Sequence, residues 1–296
     1  MVTGGNVNDE SEWKFILIST CGANDRPDLL QRMINSVTQA EEQLKGRVEL
    51  YLLLQQCSKE SLANFSISAP SFIRPYCYSQ RVPLSAARNR LLLQALDAPL
   101  SWQRVIVAFP DDDAWYPPGT LETIVKAFAS DKRLGFWFCR YGSAPGSAVQ
   151  PAFPSTRQPS LGETIRRASS NTIFLRGDLV RRIGKFDETL GVGTENGSGE
   201  DTDFAIKAFA IASRTLYFDA VAIGHRDLDP GLRARYYRGS LITLGRYAGV
   251  VKGMYREFIR KLIVGCYLVL RGDLTVRGYL SAMSGAVLSL GTAKLP

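Results

Sequence analysis

The sequence predicts an α/β protein: a mostly parallel sheet flanked by helices, followed by a basic helical extension. Three observations carry that expectation. Continuous apolar runs such as Lys14–Ser19 (KFILIS), Val48–Leu54 and Val105–Phe109 have the length and composition of strands buried on both faces. Stretches with apolar residues at helical spacing lie between such runs, the alternation that parallel crossovers require. The charge is also split along the chain. Residues 231–296 hold eleven Lys and Arg against Glu257 and Asp273, which exceeds the whole-chain net of +8 and leaves the first 230 residues near neutral.

Residues 1–12 read as a flexible lead, and the first strand ends in Thr20-Cys21-Gly22, a turn. A helix opens at Asp28 and runs to about Glu42, with Leu29, Leu30, Met33, Ile34 and Val37 on its apolar side. With the strand Val48–Leu54 it forms a βαβ unit, whose right-handed crossover places ligands at the carboxyl ends of the strands, beside Arg26, Gln55 and Gln56. A short strand over Phe72–Tyr76 and a helix over Ser85–Leu96 follow, the helix presenting Arg88 and Asn89 in its first turn. An arginine there has two readings, a solvated helix residue or a planar fork for diphosphate oxygens.

Val105–Phe109 then delivers Asp111, Asp112 and Asp113 at its carboxyl end. Three consecutive carboxylates repel one another, and a cation or a solvated turn must offset that repulsion, so a metal site and an acidic turn both remain open. A helix over Leu121–Phe128 and a strand over Gly135–Arg140 come next, before Tyr141–Gly162 shifts to Gly, Pro, Ser and Ala with four prolines, a long loop that could close over a substrate. Asn171–Leu175 resumes strand character, and Asp178–Ile183 is a short helix.

The second focus is GVGTENGSGEDTDF, in which Gly191, Gly193, Gly197 and Gly199 precede Glu200, Asp201 and Asp203 at the start of a helix. Carboxylates cap helix N-termini, so at least one of the three is expected to do only that. A carboxylate beside a glycine-rich loop also suits a general base that must reach a substrate hydroxyl. A strand over Leu216–Ile223 ends at His225, the chain's single histidine, which is either a ligand or a structural hydrogen-bonder.

The tail from Gly231 interleaves Arg and Lys with tyrosines. Over Tyr255–Leu270 the charges Arg256, Glu257, Arg260 and Lys261 share one helical side while the rest is apolar. That pattern fits a helix lying in a membrane interface with its cations toward anionic lipid, or one packed on the protein's own core. No uncharged run reaches the roughly 20 residues of a spanning helix. The five cysteines have no Cys-x-x-Cys pair, and the opening MVTGGNVNDESEW is polar and acidic, so reduced thiols and a cytoplasmic location against the inner face of the membrane are expected. The near-neutral body is not a basic nucleic-acid binder, and no nucleic-acid partner is expected. With 296 residues and 45% hydrophobic content, the chain suffices for one domain over 13–230 and an appendage over 231–296.

Together the two acidic stretches bring a resemblance. PDDDAWYPPGTL resembles the Asp-x-Asp region of GT-A glycosyltransferases, FDETLGVGTENGSGEDTDF resembles the FDE-then-GED region of the inverting family 2, and SAARNR resembles that family's Ala-Arg-Asn segment. The likeness covers roughly residues 13–230. It implies a nucleotide-diphospho-sugar donor held by the turn Thr20, Cys21 and Gly22 with Arg26, Gln55, Arg88 and Asn89. It implies Mn2+ or Mg2+ held by Asp111, Asp113 and His225, Asp112 near the ribose, and Asp201 as the base. Trp115, Gly199, Glu200 and Asp203 fall on the acceptor side. Where many members carry an acidic residue to read the nucleobase, this chain has Gln55-Gln56-Cys57-Ser58, and a UDP-sugar is the expected donor.

The expected reaction moves a hexose to a hydroxyl of a lipid-linked glycan in bacterial surface or exopolysaccharide assembly. Two alternatives compete. A sugar nucleotidyltransferase would carry a glycine-rich basic signature after the first strand, which TCGANDRP lacks. An inactive membrane scaffold of the same fold would not need acidic residues at both foci.

Overall fold

The computed structural model describes residues 12–22, 26–145, 156–227 and 231–296. The expected lead over 1–12, Glu12 apart, and residues 146–155 of the expected long loop lie outside the described residues. In order, the elements are β1 (Lys14–Gly22), α1 (Pro27–Leu44), β2 (Val48–Gln55), α2 (Lys59–Ser68), β3 (Ile73–Tyr78), α3 (Leu84–Leu96), β4 (Val105–Ala108), α4 (Thr120–Ser130) and β5 (Leu134–Gly142). They continue as β6 (Thr156–Arg157), α5 (Leu161–Arg167), β7 (Ile173–Arg176), α6 (Gly177–Ile183), α7 (Glu200–Ile211), β8 (Arg214–Gly224), α8 (Leu232–Arg235), α9 (Tyr237–Tyr247), α10 (Met254–Leu270) and α11 (Val276–Leu288).

The strands form one eight-stranded sheet in the order β3-β2-β1-β4-β7-β5-β8-β6. The mostly parallel α/β fold expected from the sequence is present, with β7 and the short edge strand β6 as the antiparallel members. Alternate residues of each strand feed opposite faces. In β1, Phe15 and Leu17 join the core under α1 and α4, while Ile16 and Ile18 join the core under α3, α6 and α7. The direction of β7 sets which of its ends meets the acidic turn. Because it runs against β4, its first residues lie where β4 ends.

Two helices escaped the sequence reading. α2 buries none of its residues and so has no apolar periodicity to detect. α5 lies partly inside the expected loop, whose ends prove structured: Tyr141 and Gly142 finish β5, Thr156 and Arg157 pair with β8, and Ser160 caps α5 in a capping box with Glu163.

The C-terminal helices share a third core with α7, a cluster that holds Ile206 together with Tyr237, Leu241, Leu244, Tyr247, Phe258 and Leu268. α10 therefore packs on the body through one side. Of the two settings expected for it, packing on the protein's own core holds for this side, and the charged stripe divides: Arg256 is exposed while Glu257 turns inward. Glu257 is buried and bonds Arg166 and Arg260, and Lys261 lies 5.4 Å from the Tyr237 ring. Burial first, then the charges of Arg260 and Arg233, push the Lys261 ammonium down to about 8.

Candidate functional site

The strand ends gather most of the predicted residues. Asp111, Asp112 and Asp113 follow β4, His225 follows β8, and Thr20, Cys21 and Gly22 end β1. Two backbone hydrogen bonds between Trp115 and Gly224 clip the acidic turn to the end of β8. The clip needs glycine, since a Cβ at position 224 would lie 1.9 Å from the Trp115 indole. It brings His225 Nε2 to 2.9 Å from Asp113 Oδ1 and 3.7 Å from Asp111 Oδ2.

The metal expectation meets a direct test of fit. One ligand atom from each of Asp111, Asp113 and His225 lies within 4.8 Å of the others, and His225 Nε2 is buried without a well-aligned hydrogen bond. Two carboxylates and an imidazole suit Mn2+ or Mg2+, so the residues could hold either ion. Burial alone would raise the Asp113 carboxyl. Contact with His225, then the charges of Arg26 and Arg226, outweigh it and hold the group well below the usual carboxylate range.

Arg26 sits in a left-handed conformation before α1 and donates to both Asp113 Oδ2 (2.8 Å) and Asp112 Oδ1 (2.9 Å). Gln55 donates to Thr20 Oγ1 and accepts from the Val82 amide. These residues, with Cys21, Gly22 and the acidic triplet, line a cavity of about 470 Å³. A second cavity, about 250 Å³, adjoins it through Asp111 and Arg226 and is lined by Gly199, Glu200, Asp201 and His225.

Arg88 ties the two cavities together. Its guanidinium is 1% exposed and donates to Asp111 Oδ1 at 2.9 Å and to Asp201 Oδ1 at 3.0 Å. The fork expected for diphosphate is thus committed to two carboxylates, and neither cavity is lined by Arg88. Asp201 also accepts from the Ser170 amide at 3.0 Å. A carboxylate has about four lone-pair sites, so two acceptances orient Asp201 while leaving capacity toward the cavity. Beside it Glu200 is buried, and burial, then the Asp201 charge, push its carboxyl up to about 8.

Three predicted site residues are elsewhere. Asn89 is buried and spends its amide on Phe186 and Glu188, fixing the loop after α6. Asp203, expected on the acceptor side, turns inward, accepts from the Tyr247 hydroxyl at 2.7 Å and forms an ion pair with Lys207 at 2.7 Å. Trp115 faces a different hollow, under the Arg32 guanidinium at 3.8 Å.

Several residues of the site were not singled out from the sequence. Asn171 donates to Asp111 Oδ2 and accepts from the Asp111 amide, while Tyr141 packs edge-on against His225 at 4.9 Å. Arg81 and Arg226 add positive charge to the larger cavity. Asn171 could have been noticed as a polar residue opening an apolar strand, but nothing local connects it to position 111.

No family model matches the chain, and no curated protein matches it. Solved structures do. S. aureus TarS 1–349 in complex with UDP-GlcNAc aligns with a TM-score of 0.63 at 17% identity, covering 94% of this chain and 81% of that one. A longer TarS structure aligns at 0.57 and 18% identity, and this chain spans 43% of its length. The mannosyltransferase PcManGT from Pyrobaculum calidifontis, in complex with GDP-Man and Mn2+, aligns at 0.58 and 13% identity, over 94% of this chain and 77% of that one. The chain therefore has a GT-A-like fold.

Proposed function

We propose that this protein is a metal-dependent inverting glycosyltransferase that moves a hexose from a nucleotide-diphospho-sugar, a UDP-sugar first, to a hydroxyl of a lipid-linked glycan. In this reading it works at the inner face of the cell membrane, in surface polysaccharide assembly. One observation supports it above the rest: Arg88 bonds both Asp111 and Asp201, so a metal-type cluster and an oriented carboxylate face two adjoining cavities. The donor occupies the larger cavity and the acceptor the smaller.

Asp111, Asp113 and His225 would hold the ion, which would supply Lewis-acid stabilisation for the leaving diphosphate. The chain's own residues do the rest. Arg26 and Arg226 set positive charge beside the acidic triplet, on the wall of the donor cavity. Thr20 and Gln55, bonded to each other, form its floor near the nucleoside. Asp201 takes the proton of the attacking hydroxyl at its free lone pairs, with Arg88 and the Ser170 amide holding the carboxylate in place. Attack from the face opposite the leaving diphosphate inverts the anomeric centre.

A thermal-shift panel of UDP-, GDP- and dTDP-sugars with and without Mn2+ tests the donor half. A rise in melting temperature is expected only when the metal and one nucleotide-sugar are both present. No shift with any pair removes the donor assignment.

A further inference from the structure

α10 and α11 present to solvent what a protein surface ordinarily hides. On α10, Tyr255, Ile259, Ile263, Tyr267 and Leu270 recur every three or four residues and are between 53% and 87% exposed. The opposite side of that helix already meets the core through Phe258, Gly265 and Leu268, so these residues are surplus to its packing. On α11, Val276, Leu280 and Val287 are 55% to 62% exposed, while Ala282 and Ala286 make the contact with the body. Tyr279 joins the helices along one seam, its hydroxyl 3.2 Å from the Cys266 thiol and donating to the Leu262 carbonyl. The two helices joined by that seam thus leave nine large apolar side chains more than half exposed, beyond what isolated surface residues make.

Its border is cationic. Lys252, Arg256, Arg271 and Arg277 are exposed around it. The acids in these helices and the turn between them are offset: Glu257 is buried between Arg166 and Arg260, and Asp273 pairs with Arg271. Among the described residues, no helix is long and apolar enough to cross a membrane.

We infer that the outward face of α10 and α11 docks on an anionic lipid surface, with Ile259, Ile263 and Leu280 below the headgroups and the bordering cations among the phosphates. Apolar side chains flanked by tyrosines and ringed by Arg and Lys match such an interface in depth and in charge. A second copy of the chain matches poorly, because a two-fold contact would set each rim of cations against its own kind. A polyanion without an apolar phase would engage the rim and leave the Ile and Leu side chains in water. The inference is independent of sugar transfer, since it uses no residue of the cleft.

The test is flotation of the full-length protein with vesicles of phosphatidylcholine alone, or with about 30% phosphatidylglycerol. The protein should float with the anionic vesicles and lose binding as salt is raised, and Ile263→Glu or Leu280→Glu should weaken binding at least about tenfold. Both positions are exposed, so melting temperature and any donor-induced shift should stay as in the wild type. Three results overturn the inference. The first is no binding to anionic vesicles, the second is binding unchanged in both variants. The third is a concentration-dependent dimer in sedimentation that these substitutions dissociate, which would give the face to a second copy.

Discussion

The cleft and the outer face of α10 and α11 depart from ordinary packing in opposite senses. In the cleft, ionisable groups are buried: Arg88, Asp113, Glu200 and His225 are each 5% exposed or less. On the outer face, Ile263 is 65% exposed while alanines hold the core contacts of the neighbouring helix. Burying an ion costs several kcal/mol, and exposing apolar area forfeits part of the main driving force for folding. The two costs are met differently. In the cleft, reciprocal bonds among Arg26, Arg88, Asn171 and the carboxylates offset the burial from within the protein. The outer face has no such internal compensation. Substitutions in the cleft should therefore be felt in stability and chemistry together, and those on the face in association alone.

The sharpest test of that contrast is Asp201→Asn. Transfer should fall by about 10²–10⁴-fold while the metal-dependent donor shift remains, as measured by kcat beside the melting panel. A rate within twofold of the wild type would remove Asp201 from the chemistry. Gly224→Ala comes next. The added methyl meets the Trp115 indole and opens the clip that holds His225 to the acidic turn. Denaturant unfolding should show a loss of about 1–3 kcal/mol, against about 0.5 kcal/mol or less for Ile263→Glu on the outer face. Equal losses at the two sites would erase the difference between cleft and face.

The smallest effect is a slope with pH. Burial, and then the Asp201 charge, push the folded Glu200 carboxyl up from an ordinary 4.5 to about 8. The folded state holds this proton more tightly than the unfolded chain, so the group's contribution to stability is complete below about pH 4.5 and is lost as pH rises toward 8. Melting temperature should decline across that window in the wild type, and Glu200→Gln should flatten the decline. Parallel slopes would mean that Glu200 is already ionised in the fold.

Much of this protein was legible as local pattern. The apolar runs gave the parallel strands because a strand covered on both faces has no polar positions to interrupt it. The acidic triplet, Asp201 and His225 stood out because their residue types are costly where they occur, at strand ends and a helix start. Tertiary structure alone decided the partners. Asn171 reaches Asp111 across 60 residues and Arg88 reaches Asp201 across 113, separations that no local spacing encodes. It also sent Asp203 inward to Tyr247 and Asn89 to the loop after α6, since a helical carboxylate or amide faces whatever element packs there. The same holds for α10. Its sequence is apolar around most of the helix, so periodicity alone left open which side would be buried, and packing against α9 turned Phe258 and Leu268 in and left Ile259 and Ile263 out.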